Sequence, residues 1–358
     1  MKTCLLDNFG NTCYLNTLLQ CLSHCDSLYA IFKQKTKIHN MLCHELFKVI
    51  DDMRNTESKS VAVSIPKRFI YNGLYSIIHD AWNDQQDIHE IYMFIVMAMN
   101  QHKNAEPHIK NQKTFLYNLL CQVNQEKQKD VMQIGKSMIE QRYKDFDKAC
   151  DDTILHIFYG QIIQQIICAN CSKKHRNFEH MSFLSIDSNC GSVSKGLQNI
   201  FKTQDLRSAF GSIHTDWKCD NCNNIVPSSK YTKRIYRLPD VLVIVIHRFD
   251  DSNRLTAGAN LKKRKDEVDI PQKLHMSSFC LCNTIEKRKY NSYTLKAIGA
   301  HIGKNIENGH YISIVKENET FVIKDDNYEK SIKDLRNIQQ NAYMLFYEKK
   351  DYVGSESL

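Results

Sequence analysis

Apolar residues near the start of the chain recur at Leu15, Leu18, Leu19, Leu22, Tyr29 and Phe32. That spacing predicts a helix opening at Cys13, with Asn11 and Thr12 available as caps. A second amphipathic helix is predicted over about 84–99, with Ile88, Ile91, Tyr92, Ile95 and Met99 on its apolar face. A looser stripe of Phe115, Leu119, Val131, Ile134, Met138 and Phe146 predicts more helix within 106–150. After Gly160 β-branched and aromatic residues take over, and strands are expected at 162–167 and 183–186. The run 241–246 is continuously apolar, as in a strand buried on both faces. The polar stretch 250–266 reads as a loop, and short segments at 293–297, 311–315, 321–323 and 343–347 predict an antiparallel meander. Helix first and strand later gives the α+β class.

Composition adds limits. With 358 residues and 42% hydrophobic, the chain can bury a large catalytic domain or two modest ones. Forty-eight Lys+Arg against 40 Asp+Glu give a net charge of +8, spread along the chain. That suits an acidic partner surface; a nucleic-acid partner is not expected. The basic run 262–265 reads as a nuclear address or a solvated loop. Asp7, Asn8 and Gly10 interrupt any signal-peptide core, and 241–246 is too short to span a bilayer. The expected setting is therefore cytoplasmic or nuclear, with no membrane contact. In that reducing setting the 14 cysteines are metal ligands, a nucleophile or core thiols.

Two cysteine patterns carry chemistry. Cys168-x-x-Cys171 and Cys219-x-x-Cys222 each offer two thiolates from one turn. Together they make a four-sulfur tetrahedral site for zinc, closed and structural. Cys280-Leu281-Cys282 has the wrong spacing and is assigned to packing. Cys13 stands at a helix N-terminus, where the dipole favours the thiolate; the competing reading is a core cysteine in a leucine-rich helix. A nucleophile needs an imidazole, and that imidazole needs an acceptor to orient it. His310, after the Asn308-Gly309 turn, opens a strand, and Asp325-Asp326 follows the next strand, 321–323, after a turn, so a hairpin would place them side by side. His301 competes for the role of base. Asn8 and backbone N–H groups near Cys13 are close enough in sequence to serve an oxyanion, and Asn8 also suits a turn. Asp87 and Glu90 sit three apart on the polar side of the second helix.

Taken in order, these pieces resemble the ubiquitin-specific protease family of deubiquitinases. Residues 6–20 resemble its cysteine box, and 85–90 its acidic helix. Residues 158–160, Cys168, Cys171 and 183–186 resemble the entry to its zinc-bearing fingers. Cys219, Cys222, Lys230, Leu238-Pro239 and His247-Arg248-Phe249 resemble the exit. Residues 293–297, His301, Gly309-His310-Tyr311, Asp325-Asp326 and 342–347 resemble its histidine box. The resemblance implies a papain-like thumb and palm with a zinc-stabilised β fingers extension. It divides a single catalytic domain over 1–350 into a thumb (about 1–155), fingers (about 156–240) and palm (about 241–350), with a tail at 351–358. It implies Cys13 as nucleophile, His310 as base, Asp325 in the third triad position, Asp326 beside it and Asn8 as oxyanion donor. Asp87 and Glu90 would hold the arginine-bearing C-terminal tail of ubiquitin. Gly309 and Tyr311 would flank the narrow channel that its terminal glycines require. Departures are mild: Thr17, Ile91, Phe321 and His247 stand where Ser, an aromatic, Trp and Lys are usual. Partners would be ubiquitin and ubiquitinated proteins.

Two other readings stay open at this level. A catalytically dead ubiquitin-binding scaffold would keep Asp87 and Glu90 but misplace the triad. A zinc-dependent nucleic-acid binder would need a basic stripe near the knuckles, where Asp216 and Asp220 stand instead.

Overall fold

The computed structural model describes residues 2–34, 41–56, 69, 86–99, 157–210, 217–249, 263–281, 291–304 and 309–349. The helix expected within 106–150 and most of the loop 250–266 lie outside them. Among the described residues no helix is long and apolar enough to cross a membrane.

The helical part comprises α1 (Cys13–Ser23), α2 (Asp26–Gln34), α3 (Met41–Asn55) and α4 (Ile88–Met99). All 11 residues of α1 are buried, so it is a core helix packed on every side, with α2, α3 and α4 on one side and the large sheet on the other. Burying each of Leu15, Leu18, Leu19 and Leu22 stabilises the fold by about 1.5–3 kcal/mol. The expected apolar face of α4 is buried throughout, while Phe94 and Met97 remain exposed.

Two sheets follow. The smaller has the order β2-β1-β5-β4, from β1 (Gly160–Ile167), β2 (Lys174–Met181), β4 (Gln204–Asp205) and β5 (Lys230–Arg237). The larger contains β3 (Leu184–Asp187), β6 (Val241–His247), β8 (Ser292–Gly303), β9 (Gly309–Glu317), β10 (Thr320–Asp325), β11 (Tyr328–Ile332) and β12 (Ala342–Lys349). Its order is β11-β10-β9-β8-β12-β6-β3, with β7 (Lys273–His275) beside β8. Three of the expected meander segments are the neighbours β8, β9 and β10, and β11, which was not expected, extends them. The fourth expected segment, 343–347, is β12, which leaves the meander and returns to the far side of β8 before β6 and the parallel edge strand β3.

The apolar run in β6 is explained by the two layers it separates. Val241, Val243 and Val245 join the core shared with the helices, while Leu242, Ile244 and Ile246 face a second core closed by α5 (Val193–Ile200). Thus β3 and α5, although inside 156–240, pack on the large sheet. Lys296 falls at a register shift between β8 and β12 and reaches Asp26 and Glu348 at 2.7 and 3.0 Å. Arg248, just past β6, is fully buried and donates to the carbonyls of Ala342, Arg264, Asp266 and Gln339. Burial brings its pKa down to about 10.

Candidate active site

Two turns meet at Cys13. The first, ahead of α1, is shaped by its own side chains. Asn8 Oδ1 accepts from the Thr12 N–H at 3.2 Å and the Thr12 hydroxyl at 3.1 Å, and Thr12 Oγ1 accepts from the Phe9 N–H at 3.0 Å. Thr12 occupies the N-cap position but makes no side-chain cap, against the sequence expectation, because its hydroxyl is turned back into the loop. The first-turn N–H groups of α1 are thus not taken up by that side chain.

The second turn joins β10 to β11. Asp325 pairs with Tyr328, so only two residues make the turn, and Asp326 takes a left-handed φ of +49°. Asp is among the few residues that tolerate this region. The consequence is that neighbouring carboxylates diverge. Asp325 Oδ1 lies 2.5 Å from His310 Nε2. Asp326 turns to the first loop, where Oδ2 accepts from Asn8 Nδ2 and Oδ1 from Asn16 Nδ2, both at 2.8 Å. Its distance to His310 is 3.9 Å. The Leu6 N–H bonds the Asp326 carbonyl at 3.2 Å, completing the stitch between chain start and hairpin.

His310, second residue of β9, stands beside the Cys13 thiol. That contact is the largest cause raising its pKa to about 9; burial opposes it and the Asp325 hydrogen bond adds to it. The imidazole is therefore protonated at neutral pH beside the sulfur. Cys13 itself is only 2% exposed.

His301, the competing base, lies elsewhere. Its ring is fully buried, edge-on to Phe249 (5.4 Å) and Tyr311 (4.9 Å), and neither ring nitrogen has a hydrogen-bond partner. Burial, with Lys263 and His310 nearby, brings its pKa down to about 4. A neutral ring walled in this way has no proton path to Cys13. It does explain Gly309: a Cβ there would meet His301 Nε2 at 2.1 Å.

Behind the hairpin, a buried ionic group ties strand to helix. Lys324 lies 3.0 Å from Glu317, which lies 3.5 Å from His24 at the end of α1, and Lys324 also donates to the Thr3 carbonyl at 2.6 Å.

Asp87 and Glu90 do not share one exposed face. Asp87 caps α4, with Oδ1 accepting the His89 N–H and Oδ2 the Tyr343 hydroxyl, each at 2.7 Å, whereas Glu90 is exposed. Tyr311 is 2% exposed and lies beneath the surface. Its hydroxyl feels the charges of Asp87, Cys13 and Glu90.

The four paired cysteines converge at the far end of the small sheet. Cys168 and Cys222 sulfurs are 3.8 Å apart, those of Cys171 and Cys219 3.6 Å, and all four lie within 4.8 Å of one another. The two turns are copies. In each, the residue after the second cysteine has positive φ (Ser172 +57°, Asn223 +60°) and donates its N–H to the carbonyl of the first. Tetrahedral coordination with bonds of about 2.3 Å sets sulfurs about 3.8 Å apart, so the set fits a metal ion. A hydrogen bond from Asn170 brings the Cys222 thiol to about 6, and burial pushes Cys219 to about 11. His175 Nε2 lies 3.4 Å from the Cys219 sulfur and its Nδ1 3.1 Å from Asp220.

The family model for ubiquitin carboxyl-terminal hydrolases matches residues 4–347. The chain belongs to that family. As a ubiquitin carboxyl-terminal hydrolase it is a deubiquitinating thiol protease. It is similar to probable ubiquitin carboxyl-terminal hydrolase 16 of Schizosaccharomyces pombe, at 24% identity over 98% of this chain and 68% of that protein. It is also similar to ubiquitin carboxyl-terminal hydrolase 17-like protein 10 of Homo sapiens, at 27% identity over 96% of this chain and 56% of that one. Its fold matches the SAGA DUB module Ubp8/Sgf11/Sus1/Sgf73 bound to monoubiquitin, with a TM-score of 0.68, 20% identity and coverage of 97% of this chain and 69% of that one. The same module bound to ubiquitin aldehyde gives 0.67.

Several residues of this hydrolase's site escaped the sequence reading. Asn16 carried a usable signal, since it lies one helical turn after Cys13 and must share its face. Tyr343, Lys324 and His175 carried none, because their partners are remote in sequence.

Proposed function

We propose that this hydrolase cleaves the bond after the last glycine of ubiquitin through Cys13, His310 and Asp325. His310, protonated beside the sulfur, already holds the proton the thiol gives up, and Asp325 holds the ring by Nε2. The sulfur attacks the carbonyl carbon, and the developing oxyanion is met by Asn8 and by backbone N–H groups at the start of α1. Asn8 suits this: Asp326 uses one of its two amide hydrogens and fixes the other. Collapse expels the lysine amine with the proton from His310, and water then cleaves the thioester. The observation that carries the reading is the line from Cys13 through His310 to Asp325, with His310 beside the thiol and 2.5 Å from the carboxylate. The same line disfavours a dead scaffold, which would leave these groups apart.

Asp87 and Glu90 are assigned to the arginine-bearing tail of ubiquitin, since carboxylates pair with guanidinium forks. Gly309 is assigned to the channel through its backbone, since the space a side chain would take is filled by the His301 ring. The metal is assigned as structural zinc on Cys168, Cys171, Cys219 and Cys222, a four-thiolate set with no open position. Zinc would bind there as a cross-link and takes no part in the reaction. The helical layer is read as thumb, the small sheet as fingers and the large sheet as palm. The setting is read as cytoplasmic or nuclear.

A ubiquitin bearing a C-terminal electrophile tests the assignment. Wild type should be labelled on Cys13. Cys13→Ala should escape labelling and lose hydrolysis of ubiquitin–aminocoumarin by a factor of about 10⁴ to 10⁶, while still binding ubiquitin. Cleavage by Cys13→Ala would remove Cys13 as nucleophile.

A further inference from the structure

Asn16 lies three residues after Cys13 on α1 and is 2% exposed. Its amide nitrogen carries two hydrogens, and both are spent outside the helix. One goes to the Asp7 carbonyl at 3.0 Å, the other to Asp326 Oδ1 at 2.8 Å. Both partners are acceptors, so the amide cannot be turned over: its oxygen would then face two other oxygens. In the orientation that remains, Oδ1 is buried without a hydrogen-bond partner. A buried polar group left in this way is rare and calls for a reason. Here the two bonds made by the nitrogen hold the side chain in place against that cost.

Both bonds lead to Asn8. The Asp7 carbonyl belongs to the peptide group that contains the Asn8 nitrogen, so holding it fixes the plane from which Asn8 departs. Asp326 Oδ1 belongs to the carboxylate whose Oδ2 receives Asn8 Nδ2 at 2.8 Å. The Asn8 side chain is thus held at its root and at its tip by one amide on the helix that carries the sulfur. The ties from Thr12 to Asn8 Oδ1 span only four residues and shape the loop without fixing it against the hairpin. Asn16 is anchored in turn by α1, its N–H donating to the Thr12 carbonyl at 3.0 Å.

An oxyanion donor is effective only when it is in place before charge develops, to within about 0.5 Å. Asn8 stands on a loop, whereas Asn16 stands on a helix buried at every residue.

Resting on the assignment of Asn8 as oxyanion donor, we propose that Asn16 is a positioning residue for the reaction. It locks the Asn8 amide against the Cys13 sulfur by way of the Asp7 carbonyl and Asp326. Asn16 touches neither substrate nor the reacting atoms. Its influence reaches only steps in which an oxyanion forms.

The test uses the full chain with Asn16→Ala, Asn8→Ala and the double variant. Two reactions are read: hydrolysis of ubiquitin–aminocoumarin, and alkylation of Cys13 by iodoacetamide, a displacement that develops no oxyanion. Thermal melts confirm folding. Asn16→Ser, which donates one hydrogen where asparagine donates two, serves should the alanine variant fail to fold. Asn8→Ala should lower kcat about 10²- to 10³-fold, the size of a lost oxyanion donor. Asn16→Ala should lower kcat about 10- to 100-fold, the size of a misplaced group, with KM within about twofold and alkylation at the wild-type rate. In the Asn8→Ala background the Asn16→Ala loss should shrink to less than about twofold. A folded Asn16 variant with wild-type kcat overturns the proposal. So does a loss that persists undiminished in the Asn8→Ala background, or one matched by slower alkylation, since either puts the effect on the sulfur or on packing. If Asn8→Ala leaves kcat unchanged, the oxyanion assignment fails and the role of Asn16 falls with it.

Discussion

The catalytic cleft and the cysteine knuckles are both made from two tight turns that bring sulfur to a meeting point. They differ in what stands behind the turns. The cleft rests on a core helix with every residue buried, and hydrogen bonds join residues 310 and 318 positions apart in sequence. At the knuckles the core has run out. Burial along β1 fades from full at Gly160–Ile163 to partial over 164–167, and β2 is open for most of its length. A sheet end without an apolar interior needs another cross-link, and four sulfurs at ligand spacing supply the place for one. On the proposed reading, packing fixes the sulfur that must stay free to react, whereas coordination would fix the sulfurs that only hold structure.

That contrast can be broken first at the cleft. Asp325→Asn should lower kcat by about 10² to 10⁴, the range for general acid–base function, with little change in ubiquitin binding. The pH profile sharpens this. His310 has a raised pKa, so its proton is held below about 9 and lost as pH rises through that value. Activity should fall on an alkaline limb near there, and Asp325→Asn should move the limb to lower pH, since the carboxylate helps hold the proton. A limb that stays put would remove Asp325 as the orienting group.

A smaller effect on chemistry is expected at the knuckles. Chelation, or Cys219→Ser, should release the metal and expose the outer half of the small sheet to proteolysis. Ubiquitin KM should rise, yet alkylation of Cys13 by a small reagent should proceed at the wild-type rate. Loss of that alkylation would show that the two regions are not independent. The smallest effect on rate belongs to Lys324→Met, which strands Glu317 beside His24. Stability should drop by about 3–5 kcal/mol, read as a lower melting temperature, while kcat at 25 °C changes by less than about threefold.

How much of this was legible in the sequence follows the same divide. The start of α1, the apolar face of α4, the doubly buried β6 and the paired knuckles were all readable, because each depends on short-range spacing. Spacing alone left His310 and His301 both open, since both stand on strands of the same hairpin, and only the family resemblance favoured His310. What separates them is the ring cluster that encloses one and leaves the other beside Cys13. Nor could spacing assign Asp325 and Asp326, whose directions are set by a two-residue turn with a left-handed φ at Asp326. The Thr12 cap failed because Asn8 and Phe9 compete for its hydroxyl. Asp87 was placed on a helix face when it is the residue that caps the start of the helix.

The clash at Gly309 has a further consequence for how this molecule can vary. The space a methyl would need is already filled by the His301 ring, which is itself wedged between Phe249 and Tyr311. Drift at position 309 therefore cannot be gradual. Even alanine would have to push through a chain of aromatics to the far wall of the cleft, so the vocabulary at this site is one letter long.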